Sequence, residues 1–272
     1  MIVMCILQTT AFAAPDSYYG YEVPIDVSIN GSIIKCPQKA FVDSGTTYIP
    51  LRAFSDALGG TTNWNNSSKS ATVTVKNKSF VFYSSQNYCT VNGTNYYNAS
   101  AKLHKNTMFV PVKFICEHLG FSVNWDSYYY VAEINAPGLW VSESCKDYSY
   151  TEDDLLWLAK IVQVESGGEG ISTRIGVANA VINRMHSPSY PNTIKGVIMD
   201  TKHGTQFPPA HTDKINVTPS ATSMIAAKCA FNGVNLVGNA ISFVNVNSFA
   251  NSWVAKNLKH VVSIGNLGFF AN

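Results

Sequence analysis

Charge is scarce in this 272-residue chain: Asp, Glu, Lys and Arg make up 13% of it and the formal net charge is +2. A field that weak does not select nucleic acid as a partner. Long apolar runs are missing as well. Beyond the first residues no stretch approaches the roughly 18–20 residues needed to span a bilayer, so no transmembrane span is expected in the mature chain. His104 and His118 stand alone without an HxH pair, and His203 and His211 are too loosely spaced for a metal site. The cysteines, Cys5, Cys36, Cys89, Cys116, Cys145 and Cys229, show no CxxC or zinc spacing. No metal and no cofactor is expected. A Cys36–Cys89 bridge is open in an exported protein, as are isolated buried thiols.

What is present is a globular composition, 46% hydrophobic, with room for one large or two ordinary domains. Tyr, Asn, Ser and Thr are plentiful. That profile suits a protein working outside the cell on a polar polymer, where aromatic faces and amides contact sugars. The opening MIVMCILQTTAFAAPDS has an apolar core, Ile2 to Leu7, and small residues at Ala11, Ala13 and Ala14. It reads as a secretory signal peptide over residues 1–14 without its basic segment, whose true initiator is expected upstream, and it implies a secreted protein.

Residues 20–135 contain an internal repeat. Pro50 and Pro111, Leu58 and Leu119, Gly59 and Gly120, and Trp64 and Trp125 each recur about 61 positions apart. Asn30-Gly31 and Asn92-Gly93 are hairpin-turn signals. In each copy a strand, Thr47 to Ile49 or Met108 to Val110, runs into a proline heading a short helix, Leu51 to Leu58 or Val112 to Leu119. The tryptophans are expected to pack sheet against helix, with stacking on sugar rings as the alternative. Pro137-Gly138 marks a linker over residues 136–149, and a C-terminal domain follows over residues 150–272.

That domain opens with Thr151, an N-cap followed by acids. At steps of three and four, Leu158, Ile161 and Val162 lead to Glu165, a carboxylate on the inward stripe of a helix that should stop at Gly167-Gly168. Held in poor contact with water, such a group keeps a proton near neutral pH and can act as a general acid. Glu165 also reads as a surface carboxylate in a fraying turn, paired with Lys160 or Arg174. Glu169 fits as a capping carboxylate at the start of the next helix, near Ser172 or Thr173. Thr218-Pro219 reads as the N-cap and first residue of a later helix reaching Phe231.

The runs WLAKIVQVESGGEG, GVANAVINRMHSPSYPNTIKGVI, GTQF, NAISFVN and VSIGNLGFF, in that order, resemble the SleB-type cell-wall hydrolases, the spore-cortex-lytic family. The resemblance implies a mainly helical, lysozyme-like domain with a small sheet, cleaving peptidoglycan between N-acetylmuramic acid and N-acetylglucosamine as a lytic transglycosylase or muramidase. Glu165 matches the family's catalytic glutamate. The resemblance assigns Asn183 and Arg184 to support, with Arg184 tying loop backbone or Glu169 in place. It assigns Gln206, Phe207, Phe243, Asn245 and Trp253 to substrate binding. Where family members usually carry a histidine before the last aromatic, this chain has Leu267-Gly268, which leaves open a non-catalytic peptidoglycan-binding wall protein. Residues 20–135 resemble the copper-amine-oxidase-like N-terminal domain, which implies neither copper nor oxidase activity. The fold class expected is thus α+β with two domains, a duplicated small β/α module and then the helical one, in the cell wall or spore envelope with glycan strands as partner.

Overall fold

The structure is a computed structural model that describes residues 17–18, 21–202 and 204–272. The expected signal peptide lies outside them. The described chain is mixed α/β and divides into two compact units, Glu22–Asp147 and Tyr148–Asn272.

After two short strands, β1 (Ser17–Tyr18) and β2 (Tyr21–Glu22), the first unit runs β3 (Asp26–Ile29), β4 (Ser32–Ile33), β5 (Phe41–Asp43), β6 (Thr46–Pro50), α1 (Leu51–Ala57), β7 (Thr61–Asn65) and β8 (Ser70–Val75). It continues with β9 (Lys78–Tyr83), β10 (Cys89–Val91), β11 (Thr94–Tyr96), β12 (Lys102–His104), β13 (Thr107–Pro111), α2 (Val112–His118), β14 (Ser122–Asp126) and β15 (Val131–Asn135). Asn30 and Gly31, at φ 49° and 80°, and Asn92 and Gly93, at 49° and 85°, turn the β3–β4 and β10–β11 hairpins with the positive φ pair that matches strand twist. Pro50 and Pro111 each end a strand and open a seven-residue helix. Three sheets result, in the orders β11-β10-β9-β8-β7, β12-β13-β6-β5 and β14-β15-β3-β4. The last joins the first part of the unit to its end, because β15 runs parallel to β3 with Ala132 opposite Val27. Lys39 bridges Asp26 and the exit residue Asp147, each at 3.1 Å, which compensates the buried Asp26 carboxylate.

One expectation fails here, and of the two cysteine alternatives the unpaired thiols are the one that forms. Trp64 is not in the core: β7 is an edge strand, exposed along most of its length, and the indole is 51% exposed. Trp125 is half-buried with its ring 6.3 Å from Tyr130. Cys36 and Cys89 do not pair, and all five described cysteines are free thiols. Burial pushes the Cys36 thiol up to about 12, with the nearby Lys39 opposing and Asp26 and Asp147 adding to the rise.

The second unit comprises α3 (Glu152–Ser166), α4 (Ile171–His186), α5 (Ile194–Ile198), α6 (Ala221–Phe231), β16 (Ser242–Asn245), α7 (Trp253–Asn257), β17 (Lys259–Ile264) and β18 (Leu267–Ala271). Thr151 and Asp154 close a reciprocal capping box at the head of α3. Leu155, Leu158, Ile161 and Val162 are buried from that helix, each contributing about 2 kcal/mol. Helices α3, α4 and α6 pack on one another, and the fully buried β18 is the central strand of an antiparallel sheet in the order β16-β18-β17. Gly176 lets α4 approach that sheet: a Cβ there would come within 2.7 Å of the Phe269 ring.

Helix α6 begins at Ala221 with Ser220 as its N-cap, not at Pro219 after Thr218. The cause is a polar junction that no local pattern announces. Gln163 Oε1, on α3, accepts from Ser220 N at 3.1 Å, Ser220 Oγ at 2.7 Å and Ser223 Oγ at 3.0 Å. Buried Arg174, on α4, donates through Nη1 to the same two hydroxyls, through Nε to the Glu169 carbonyl at 3.0 Å and through Nη2 to the Gly167 carbonyl. One guanidinium thereby fixes the loop leaving α3 to the start of α6. Arg174→Ala should cost about 3 kcal/mol in urea unfolding, since it strands several buried acceptors. Arg174→Lys should recover only part, because an ammonium cannot spread its donors in a planar fork. An alanine variant as stable as the parent would contradict this account.

Candidate active site

Glu165 is the next-to-last residue of α3, and it stands where the stripe of Leu158, Ile161 and Val162 next turns inward. Its side chain is half-buried, and Oε1 is sealed from solvent with no hydrogen-bond partner. Burial raises its pKa above the ordinary carboxylate value, and the Arg184 charge opposes that rise without reversing it. The sequence alternative, a surface carboxylate paired with Lys160 or Arg174, is not what forms. Lys160 lies 5.6 Å over the Trp157 ring and Arg174 is committed to the α6 junction.

Arg184, from the last turn of α4, is 4% exposed. Its Nε donates to the Ile241 carbonyl at 2.6 Å, while its plane lies 4.8 Å from the Phe207 ring and 5.5 Å from Tyr190. Burial disfavours its charge, and Tyr190, Asp200 and Glu165 each act to keep it. Its Nη1 is buried without a hydrogen-bond partner. An unmatched acceptor on Glu165 and an unmatched donor on Arg184 thus face one electrostatic neighbourhood, a state that costs free energy and that bound polar groups would relieve. Arg184 ties loop backbone as expected, but it does not reach Glu169.

Glu169 sits elsewhere than expected. The N-cap of α4 is Gly170, with no side-chain cap, and the Glu169 carboxylate instead accepts from Asn266 Nδ2 at 2.8 Å and Asn266 N at 3.3 Å. It therefore clamps the β17–β18 turn, where Thr173 Oγ1 also donates to Ile264 O. Asn183 donates to the carbonyls of Gly238 and Ala240, both at 2.8 Å, which pins the approach to β16 beside Arg184.

The residues assigned to substrate binding separate into two groups. Phe207 is 1% exposed, packed 6.2 Å from the Phe243 ring and under Arg184, so it supports the site from beneath and offers no face to a sugar. Phe243 is half-buried between Phe207 and Phe269. Asn245 is exposed, but its Oδ1 caps the next turn through Asn247 N at 2.9 Å. Gln206 is half-exposed, and Trp253, at the head of α7, is 67% exposed. At the Leu267-Gly268 departure the ring of Phe249 occupies the space where a Cβ of residue 268 would go. Phe249, His260 and Phe270 form an aromatic cluster there, with centroids 5.2–5.9 Å apart.

Sequence reasoning missed Gln163, Tyr190 and Asp200, and it misread Arg174. Gln163 and Arg174 act through partners about 50 to 60 residues away, which periodicity does not reveal. A basic residue between buried Thr173 and Ile175 on a core helix was the available signal for Arg174.

Residues 168–270 match the family model described as Cell Wall Hydrolase, and residues 28–134 match the one described as Copper amine oxidase N-terminal domain. The spore cortex-lytic enzyme of Bacillus cereus is 32% identical over 105 residues, 39% of this chain and 39% of that protein. That of Bacillus subtilis is 27% identical over 105 residues, 39% of this chain and 33% of the relative. The chain therefore spans well under half the length of these relatives. Among solved structures, the catalytic domain of the Bacillus cereus SleB protein is 31% identical, covering 45% of this chain and 92% of that one, with a TM-score of 0.41. The catalytic domain of the germination-specific lytic transglycosylase SleB from Bacillus anthracis is also 31% identical, covering 45% and 97%, at the same TM-score. Residues 168–270 are thus similar to the cell wall hydrolase family, and residues 28–134 to the copper amine oxidase N-terminal domain family.

Proposed function

We propose that this protein cleaves the glycan strands of peptidoglycan between N-acetylmuramic acid and N-acetylglucosamine, with Glu165 as general acid and then base, in cell-wall or spore-cortex remodelling outside the cell. The single observation that carries this reading is the sealed, unpartnered Glu165 carboxyl with its raised pKa. It stands on the last turn of a core helix, at the residue that the sequence resemblance pairs with the family's catalytic glutamate. In this account residues 150–272 are a lysozyme-like domain, and residues 20–135 are a duplicated module joined to it by 136–149.

Glu165 donates its proton to the glycosidic oxygen as the bond to the muramyl anomeric carbon breaks. The 6-hydroxyl of the same muramyl residue attacks that carbon and returns its proton to Glu165, which leaves a 1,6-anhydro end. No second carboxylate is coupled to Glu165 among the described residues: Glu169 is held by Asn266, and Asp200 acts on Arg184. That favours the transglycosylase route over hydrolysis, which ordinarily needs a carboxylate pair. Arg184 tunes the acid, Asn183 holds the loop behind it, and Gln206, Asn245, Phe243 and Trp253 line the glycan, with the Trp253 ring open for sugar stacking.

Glu165→Gln should abolish release of soluble fragments from purified sacculi while glycan binding persists; undiminished release would remove Glu165 from the mechanism. Mass spectrometry of the products should find anhydromuramyl ends, and reducing muramic acid alone would establish hydrolysis instead. A general acid works only while protonated, so kcat/KM should fall as pH rises through the raised Glu165 pKa. Arg184→Met removes the opposing charge and should move that falling limb to higher pH. A limb that stays in place would show that Arg184 does not act on the acid.

A further inference from the structure

At one end of the sheet β11-β10-β9-β8-β7 three tyrosines lie in a row. On the inner face, Phe80 and Phe82 of β9 are fully buried, and Tyr96 of β11 packs 5.4 Å from Phe114 and 4.9 Å from His118 of α2. Side chains alternate along strands, so the next residues point outward. Cys89 is opposite Phe82 on one side and Tyr96 on the other. One step beyond that register, Tyr83, the last residue of β9, Tyr88, just before β10, and Tyr97, just after β11, come side by side. Their ring centroids are 5.2 Å and 5.5 Å apart. Tyr83 and Tyr88 are half-buried and Tyr97 is 68% exposed.

Clustered aromatics on a solvent face need an explanation, because scattered exposed rings are ordinary and a contiguous patch is not. The chemistry around them narrows it. Residues 79–101 contain no Asp, Glu, Lys, Arg or His, while Ser85, Gln86, Asn87 and Asn98 stand exposed about the row. A charged ligand would find no countercharge in this stretch. A neutral polysaccharide would find ring faces for its pyranose C–H groups and amides and hydroxyls for its N-acetyl and hydroxyl groups.

We propose that Tyr83, Tyr88 and Tyr97 form a glycan-binding surface of the first unit, and that its occupant is a β-linked N-acetylhexosamine strand of peptidoglycan. The choice of polymer rests on the reading above; the surface itself rests on the tyrosine row.

The test uses the full chain carrying Glu165→Gln, so that nothing is digested, sedimented with sacculi stripped of anionic polymers. Retention should persist at about 1 M salt, where surface electrostatics are screened out. Adding Tyr97→Ala should weaken it about tenfold, and replacing all three tyrosines by alanine should weaken it further. If the triple variant loses its native circular dichroism, Tyr97→Ala alone decides, since that ring is mostly in solvent. Unchanged retention with Tyr97→Ala, or retention lost at high salt, overturns the proposal. Self-association that Tyr97→Ala abolishes, with sacculus binding intact, overturns it in favour of a second copy as occupant. A parent chain that binds through the row yet releases no fragments would count against the cleavage reading alone.

Discussion

A carboxyl group held without a hydrogen bond is the constraint around which the second unit is arranged. Water would satisfy both Glu165 oxygens and lower its pKa, so the fold has to keep water from Oε1. It does so by placing the glutamate on a stripe of fully buried aliphatic residues and ending the helix one residue later. The location adds a second effect of the same sign. The C-terminal end of a helix carries partial negative charge, which disfavours a carboxylate there.

Such a position would relax if the chain around it could move, and three polar anchors prevent that. Arg174 holds the carbonyls of Gly167 and Glu169, Glu169 holds the β17–β18 turn, and Asn183 with Arg184 holds the segment entering β16. Each anchor is a side chain on or beside α4. That helix is therefore the frame that carries the site, although the acid itself belongs to α3. Arg184 has a double part, since it anchors backbone through Nε while its charge acts on the acid and its Nη1 stays unmatched. Two opposed groups left short of contact permit a neutral carboxyl that a closed ion pair would have ionised.

The local grammar of the sequence reached far into this arrangement. The Leu158–Glu165 stripe, the Thr151 cap, the Asn-Gly turns and the proline-headed helices are all encoded within a few residues, and each forms as its residues dictate. Features that depend on distant partners were not legible. Helix α6 starts at Ala221, capped by Ser220, because Gln163 and Arg174 reach the Ser220 and Ser223 hydroxyls, and Phe207 is buried because Arg184 and Phe243 enclose it. Glu169 was read as a cap for the next helix but holds a hairpin turn almost a hundred residues on, a partner that no local pattern announces. Trp64 was misplaced because a repeat implies equal surroundings, whereas β7 and β14, each at the edge of its sheet, belong to different sheets with different neighbours.

The parallel pairing of β3 with β15 has a consequence for the order in which the polypeptide acquires its shape. Roughly a hundred residues separate the partners, so a ribosome must deliver nearly the whole first unit before its opening strand finds a neighbour on that side. Pairings between such remote segments form slowly. Until then the edge of β3 that β15 will cover is an unclaimed template, while local hairpins such as β5–β6 and β8–β9 can already close.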